Sequence, residues 1–419
     1  MRLLVVGSGA REHALVWKLA SASGVDEIYA APGNPGIAAV AHCVGIAADN
    51  IVELGEFAAS LKIDLTVVGP ELPLVLGIAD DFARRQLTLL GPTRAAAEVE
   101  GSKVFTKEFC LRHDIPTAQA HVVQTADEAA RAVRDLGVPV VFKADGLASG
   151  KGVVVCHDHA AVAAAIDLFF TQRAFGAAGE RVVIEECLTG SEVSFMVLTD
   201  GSTVAPLASA RDYKRLGDGD AGPNTGGMGA VSPAGLDPES AAAILTSIVH
   251  PTISGLAAEG REFRGVLYAG VMLTEHGPRL LEYNCRLGDP ETQAILARYD
   301  GDVLPLLLAC ARGDLGALRA TWRREAAVCV VLAADGYPAR PRAGDAISGV
   351  GDALAMPGVM VFHSGTAMVD GCLVTAGGRV LSVVARGSDV AAARAQAYTA
   401  VAAIDFAGMQ LRRDIGGGL

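Results

Sequence analysis

Two stretches of this chain carry residue types suited to chemistry on a phosphorylated substrate. The first, residues 143–152, reads KADGLASGKG, with two lysines and three glycines in ten residues. A P-loop needs G-x-x-x-x-G-K followed by Ser or Thr, whose hydroxyl ligates Mg²⁺. Here only three residues separate Gly146 from Gly150, and Gly152 follows Lys151, so that reading fails twice. The β-branched flanks VPVVFKAD and VVVCHD predict a Gly-rich hairpin flap between two strands, with Lys143 on the incoming strand and Lys151 in the tip. The alternative is an exposed hairpin whose lysines only aid solubility. The second stretch is LLEYNCRLGDPE, in which Glu282, Asn284 and Arg286 stand at i, i+2 and i+4. On a strand all three share one face. Glu282 and Asn284 offer hard oxygens of the kind Mg²⁺ prefers, and Arg286 offers a fork for carboxylate or phosphate. A hydrogen-bonded strand end with a salt bridge is the alternative, but burying Glu and Arg without partners is costly.

These residues need a frame. The first hundred residues alternate strand and helix: LLVVG, a helix over REHALVWKLAS, then EIYAA, DLTVVG and TLLG. That order predicts a parallel, doubly wound α/β unit. Its first turn, Gly7-Ser8-Gly9-Ala-Arg-Glu12, lacks the third glycine of a dinucleotide fingerprint, and the second strand ends in IYAAPGNPG without the acidic residue that would hold a ribose. NAD binding is therefore disfavoured, whereas a phosphate at the helix N-terminus is compatible; a plain βα turn is the alternative. Glu71, in VVGPELPLV, is placed at the same carboxyl edge, to hold hydroxyls or an amine or simply to cap a helix. Ser102 caps a predicted amphipathic helix that stops at Pro116. RVVIEECLTGSEVSFMVLTD reads as strand, turn, strand, with Glu185-Glu186-Cys187-Leu188 as a hinge. Residues 211–229, RDYKRLGDGDAGPNTGGMG, are predicted to be a long loop with six glycines, and such loops are usually functional. A β-rich segment with a closing helix around 388–403 ends the sequence.

Composition sets the outer bounds. A chain of 419 residues, 51% hydrophobic and 20% charged, should make two to four globular domains. A formal charge of −12 argues against a nucleic-acid partner, so any anion must be held locally by placed lysines, arginines and helix N-termini. MRLLVVGSG reads as a first strand rather than a signal peptide, and no uninterrupted apolar stretch approaches the ~18 residues of a membrane span. Eight scattered cysteines without a C-x-x-C pair suggest reduced thiols in a cytoplasmic protein. His113, His121 and His157 read as surface or packing residues, while His13, four residues after Gly9, stays open.

Taken together, VVGSGAREHAL, APGN, TVVGPELPLV, GPT, EGSKVFTKEF, FKADGLASGKGVVV, GPNTGGMGA, LEYNCRLGDPETQ and a final RRDIG resemble, in this order, the phosphoribosylamine–glycine ligase family of the ATP-grasp superfamily. The resemblance spans essentially the whole chain. It implies an α/β multidomain ATP-grasp architecture: an N-terminal doubly wound parallel-sheet domain at 1–100, an ATP-grasp domain at 101–326 with a flap subdomain at about 119–188, and a small β-rich α+β domain at 327–419. It implies an ATP-dependent ligase that joins glycine to 5-phosphoribosylamine through glycyl phosphate, giving glycinamide ribonucleotide, ADP and phosphate in purine biosynthesis.

Carried over residue by residue, Lys103 and Lys143 contact ATP phosphates under a flap containing Gly146, Ser149, Gly150 and Lys151. Glu185, Glu186 and Leu188 meet the adenine edge and Glu192 the ribose, while Glu282 and Asn284 hold Mg²⁺ or Mn²⁺. Asp212, Lys214, Asn224, Thr225, Gly226 and Gly227 lie where glycine meets the reacting phosphate, with Arg286 nearby. Lys143, Arg286, Asp212 and Lys214 are the catalytic candidates; Gly7, Ser8, Gly9 and Glu71 fit the phosphoribosylamine end. Departures are Ser149 where Ala is expected, Tyr213 where His is common and Leu287 where Phe is common; none removes a charge the chemistry needs. No nucleic-acid or membrane partner is expected, and a monomer is the expected state. The alternatives are an ATP-grasp carboxylase working through carboxyphosphate, and a catalytically silent nucleotide-binding regulator.

Overall fold

A computed structural model describes residues 1–147 and 152–418. The first hundred residues form a parallel sheet in the spatial order His42–Cys43, Glu27–Pro32, Arg2–Gly7, Leu65–Val68, Leu89–Leu90. Leu3 and Val5 pack into one apolar cluster, Leu4 and Val6 into another. A strand covered on both faces reads as a continuous apolar run rather than an alternating one. Strand order reverses between Arg2–Gly7 and Leu65–Val68, and ligands of such sheets sit at the carboxyl edge of that reversal. The turns at 7–9 and 69–71 both open there. Gly69 packs against the Glu12 side chain, which a Cβ at that position would displace.

The middle of the chain makes two antiparallel sheets. In the smaller one the order is Ala120–Val123, Val182–Glu186, Val140–Ala144, Val153–Cys156. Val140, Phe142 and Ala144 face a core closed by helices Ala126–Leu136 and His159–Ile166, so Lys143 points to the opposite face. The flap is therefore a strand–strand connection, as its sequence predicts; the part of it at 148–151 lies outside the described residues. The larger sheet runs Val204–Pro206, Ser191–Thr199, Gly265–Thr274, Gly277–Asn284. One helical run, Pro238–Ala258, is long and apolar enough by length and composition to span a membrane, a feature the sequence did not lead us to expect. Its Ile244, Ile248, Val249, Ile253 and Leu256 are buried in the core shared with that sheet, the usual position of a core helix.

The last sheet does not respect a boundary at residue 327. Its order is Arg211–Asp212, Gly229–Ser232, Ala326–Ala333, Arg379–Gly387, Val359–His363, so two strands come from the glycine-rich stretch. That stretch is not the long loop expected from its composition. Between the two strands, Arg215–Gly217 and Ala221–Asn224 pair as an antiparallel ribbon, turned by Gly219 and Asp220 with φ of 66° and 55°. Strands of three or four residues are too short to leave a readable period. The N- and C-terminal parts meet at His13: the His363 N–H donates to His13 Nδ1 at 2.8 Å, and Asn34 Nδ2 donates to Ser8 O and His363 O. Burial, then His363, lowers the pKa of His13 to about 3, so it is a neutral packing residue at this junction.

One side chain joins the flap sheet to the helix that starts the ATP-grasp segment. Asp145, just past strand Val140–Ala144, accepts from Ser102 Oγ at 2.7 Å and from the Val104 N–H at 2.8 Å. Ser102 in turn caps helix Lys103–Arg112 by accepting from the Phe105 N–H at 3.0 Å. Arg181 reaches the other Asp145 oxygen at 2.5 Å but is half exposed. Asp145→Ala should therefore destabilise the protein by about 1–3 kcal/mol, through lost capping and unpaired donors. Arg181→Ala should cost at most about 1 kcal/mol, as exposed ion pairs do. Denaturant midpoints of the two variants check this; equal losses would contradict it.

Candidate active site

A lysine of the flap sheet and one of helix Lys103–Arg112 converge on one carboxylate. Lys143 Nζ lies 2.9 Å from Glu185 Oε2 and donates to Leu281 O at 3.0 Å. Lys107 Nζ lies 3.1 Å from Glu185 Oε1 without hydrogen-bond alignment and donates to Thr117 Oγ1 at 2.6 Å. Glu185 is 2% exposed: its side chain lies between two ammoniums, and its backbone is paired on both sides within the sheet, opposite Ala120 and Val141. Glu186 turns outward, where Oε1 accepts from the Gln119 N–H at 2.8 Å. Leu188 follows in the hinge, half-buried. Lys103 begins its helix beside the flap and donates to Gly146 O at 3.4 Å. Burial lowers its pKa, with Glu282 opposing and Lys143 reinforcing that shift. Ser149, Gly150 and Lys151 lie outside the described residues.

Across from these lysines stands Glu282, near the end of strand Gly277–Asn284. Burial would raise its pKa, but Lys214, Lys143 and Lys103 outweigh burial and hold it at about 2. Lys214 Nζ lies 3.5 Å from Glu282 Oε1 and forms a short ion pair with Glu192. Burial disfavours the Lys214 ammonium, yet Glu192 and Glu282 push its pKa well up. Glu192, expected at a ribose, thus carries a lysine in this structure. Asn284 sits beside Glu282, and its Oδ1 accepts from Arg286 Nη2 at 3.1 Å. The regular strand ends at Asn284, so Arg286 does not share its face by strand alternation; it lies in the bend that follows.

Arg286 ties this centre to the N-terminal crevice. Its Nη2 is 2.8 Å from Glu100 Oε1 and its Nε is 3.3 Å from Glu71 Oε2. Glu100, unremarked in the sequence, also accepts from the Cys285 N–H at 2.7 Å and its thiol at 3.1 Å. Beyond Glu71 lies the Gly7-Ser8-Gly9 turn, where the Gly9 N–H donates to Glu12 Oε2 at 2.6 Å and Arg11 Nε pairs with Glu12 Oε1 at 2.6 Å. Glu12 also escaped notice, although a Glu three residues after the N-cap is a recognised helix-start signal.

The glycine-rich ribbon closes the remaining side. Asp212 Oδ1 is buried without a hydrogen-bond partner among the described residues. Burial, then Glu291, raises the Asp212 pKa well above the ordinary carboxylate range, while Lys214 pulls it back. Thr225 Oγ1 donates to Lys214 O at 2.8 Å and accepts from the Gly227 N–H at 3.0 Å, locking the Asn224–Gly227 turn against the lysine's backbone. Gly227 has φ of 106°, and a Cβ there would strike Pro290 Cδ at 2.4 Å. The ribbon therefore packs directly on the turn after Arg286. Contacts and charge interactions thus link Glu282, Lys214, Lys143, Lys103 and Asp212, and Arg286 links Asn284 to Glu71. Among the described residues there is no cluster of three or more His, Cys, Asp or Glu able to cage a metal alone. Glu282 and Asn284 supply two oxygens, which suits a cation completed by water and phosphate oxygens.

Models of the phosphoribosylglycinamide synthetase N domain, ATP-grasp (A) domain and C domain match residues 1–100, 101–292 and 327–418. A phosphoribosylamine–glycine ligase of Brucella melitensis is 48% identical over 417 residues, covering 99% of this chain and 97% of that protein. The crystal structure of phosphoribosylamine–glycine ligase from Thermotoga maritima superposes with a TM-score of 0.87 at 35% identity, covering 99% of this chain and all of that one. The biotin carboxylase domain of a Hydrogenobacter thermophilus 2-oxoglutarate carboxylase shares the fold alone, with a TM-score of 0.74 at 15% identity, covering 98% of this chain and 91% of that one. The chain belongs to the phosphoribosylamine–glycine ligase family of ATP-grasp enzymes.

Proposed function

We propose that the chain joins glycine to 5-phosphoribosylamine using ATP, forming glycinamide ribonucleotide, ADP and phosphate. The observation that carries the reading is the ring of Lys103, Lys143 and Lys214 around an ionised Glu282, continuous through Arg286 and Glu71 with the N-terminal crevice. A carboxylate is a poor acyl donor, since its charge repels nucleophiles and its leaving group would be oxide. Its oxygen instead attacks the γ-phosphorus of ATP; the bond to the β-phosphate oxygen breaks and ADP departs. In the resulting glycyl phosphate, phosphate is the leaving group. The 1-amino group of phosphoribosylamine attacks the acyl carbon, losing a proton as phosphate leaves.

No protein nucleophile takes part, so catalysis is positioning and charge neutralisation. Lys143 and Lys103 face the phosphates. Lys214 stands between the acyl phosphate and Glu282, and its raised pKa keeps it charged at neutral pH. Asp212 lies at the glycine end, where a buried, unpartnered carboxylate oxygen suits an ammonium. Glu71 and the Gly7–Gly9 turn, at the sheet's switch point, receive the phosphoribosylamine. Glu282 and Asn284 would hold Mg²⁺ or Mn²⁺. Such a cation, when bound, neutralises charge on the phosphate oxygens. The flap excludes water from an acyl phosphate that would otherwise hydrolyse.

Removing one fixed charge from this ring should cost about 10²-fold or more in turnover. Glycine-dependent ADP release should therefore fall by at least that factor in Lys143→Ala and Glu282→Ala, with the circular dichroism spectrum retained. Full activity in either variant would remove that residue from the site. Bicarbonate should not replace glycine; if it does, the carboxylase reading stands instead.

The lysine shifts also set a pH limb. Lys103 has a lowered pKa in the free protein, so its charge is lost as pH rises through a value below the ordinary ~10.4. The kcat/KM for ATP, which reports free-enzyme groups, should then decline on its alkaline side before that value. Lys103→Arg should move the limb upward, because guanidinium stays protonated. An unmoved limb in that variant would assign the titration elsewhere.

A further inference from the structure

The motif RRDIG carries no part of the chemistry above, yet its first arginine is the largest fully buried side chain in the described chain. Arg412 is 1% exposed, and its guanidinium is spent on the glycine-rich ribbon. Nη1 reaches Asp220 Oδ1 at 2.6 Å and Arg215 O at 3.2 Å, while the fork Nε and Nη2 grips both oxygens of Asp414 at 2.8 and 2.6 Å. Asp414 Oδ2 passes the link on by accepting from the Gly219 N–H at 2.8 Å, and Asp218 Oδ1 accepts from the Arg413 N–H at 2.7 Å. The guanidinium also stacks over Tyr213, 5.0 Å from the ring centroid, and the Gly416 N–H donates to the Tyr213 hydroxyl at 3.0 Å. Tyr213 stands between Asp212 and Lys214 in sequence, so this clamp holds the segment that aims both.

The far end of the ribbon is held from the same part of the chain. Arg379 Nη1 donates to Gly226 O at 2.5 Å and Asp289 O at 2.8 Å, and the Tyr337 hydroxyl accepts from the Gly226 N–H at 2.9 Å. By contrast, among the described residues the polar side-chain contacts of Lys103 and Lys143 come from Gly146, Glu185 and Leu281, with none from beyond residue 327. We propose that Arg412 is a positioning residue for the amino-acid half of the site: through Asp220, Asp414 and Tyr213 it sets the place of Lys214 and Asp212, without touching substrate and without shaping the ATP lysines. The inference rests on the ligase reading above.

That separation predicts a kinetic split. A displacement of about 1 Å at a reacting group can cost about 10²-fold in rate. In Arg412→Met, kcat/KM for glycine should fall roughly ten- to a hundredfold, while KM for ATP stays within about twofold of the parent. Because Arg412 is buried, Asp220→Asn gives a second variant: Asp220 is 64% exposed in its side chain, and Asn tolerates its positive φ. It should show the same selective loss at a smaller, roughly three- to tenfold scale with an unchanged melting temperature. Arg412→Lys should not restore the parent, since one ammonium cannot serve a bidentate carboxylate, Asp220 and the Tyr213 face together. An Asp220→Asn enzyme with parental constants would overturn the proposal, as would equal losses for ATP and glycine in a folded Arg412→Met. The parent protein in the same assay separates this from the reading it rests on: without glycine-dependent ADP release there, it is the ligase reading that fails.

Discussion

Taking an ammonium or a carboxylate out of water costs several kcal/mol per ion unless an opposite charge comes with it, and the centre of this chain is organised around that cost. Lys143 and Lys107 share Glu185; Lys214 lies between Glu192 and Glu282; Arg286 lies between Glu71 and Glu100. Each cation is neutralised before a substrate arrives. Some of the polar links also cross between parts of the fold. Lys143 on the flap sheet donates to Leu281 O on the large sheet, and Arg286 after the large sheet reaches Glu71 at the start of a helix in the N-terminal part.

The pairing explains how an acidic chain can take a polyanion. With a formal charge of −12, the protein as a whole repels ATP. At the site, lysines already stripped of most water need little further desolvation when phosphate oxygens approach. Glu282 is ionised well below neutral pH, so a divalent cation would meet a ready carboxylate rather than displace a proton. Lys214 stays charged under the same conditions, and in the proposed reaction its charge faces the phosphate that becomes the leaving group.

Much of this was legible in the sequence, and the misses have physical causes. The strand–strand flap, the Ser102 cap and the i, i+2 pair Glu282 and Asn284 follow from local rules of alternation and capping, and the structure carries them. Arg286 lies one step past the strand, where alternation no longer applies, and it meets Asn284 through the length of its side chain. The ribbon at 215–224 was invisible because its strands are too short to show a period. Glu185 was read for its backbone, whereas its side chain carries two lysines. Glu100, Lys107 and Arg412 act through partners 78 to 192 residues away, a separation on which local pattern is silent. All three lie inside stretches whose resemblance was noted, which marked their positions but not their contacts.

Three parts of the site are held in different ways. At the switch point of the parallel sheet, the Gly9 N–H and Arg11 hold the Glu12 carboxylate, whose side chain packs against Gly69. The flap sheet reaches the rest of the site through a few polar links, Lys143, Asp145 and Lys103 among them. The glycine-rich ribbon has neither a long ladder nor a core of its own, and glycine is the residue with the most conformational freedom to lose. Left alone, it could not hold Lys214 and Asp212 to the tolerance that acyl transfer demands. The strands Arg211–Asp212 and Gly229–Ser232 therefore join the C-terminal sheet, and Arg412 and Arg379 pin what lies between them. A ribbon flexible by composition thus becomes rigid by attachment, which accounts for a C-terminal part that lends the site support rather than reactive groups.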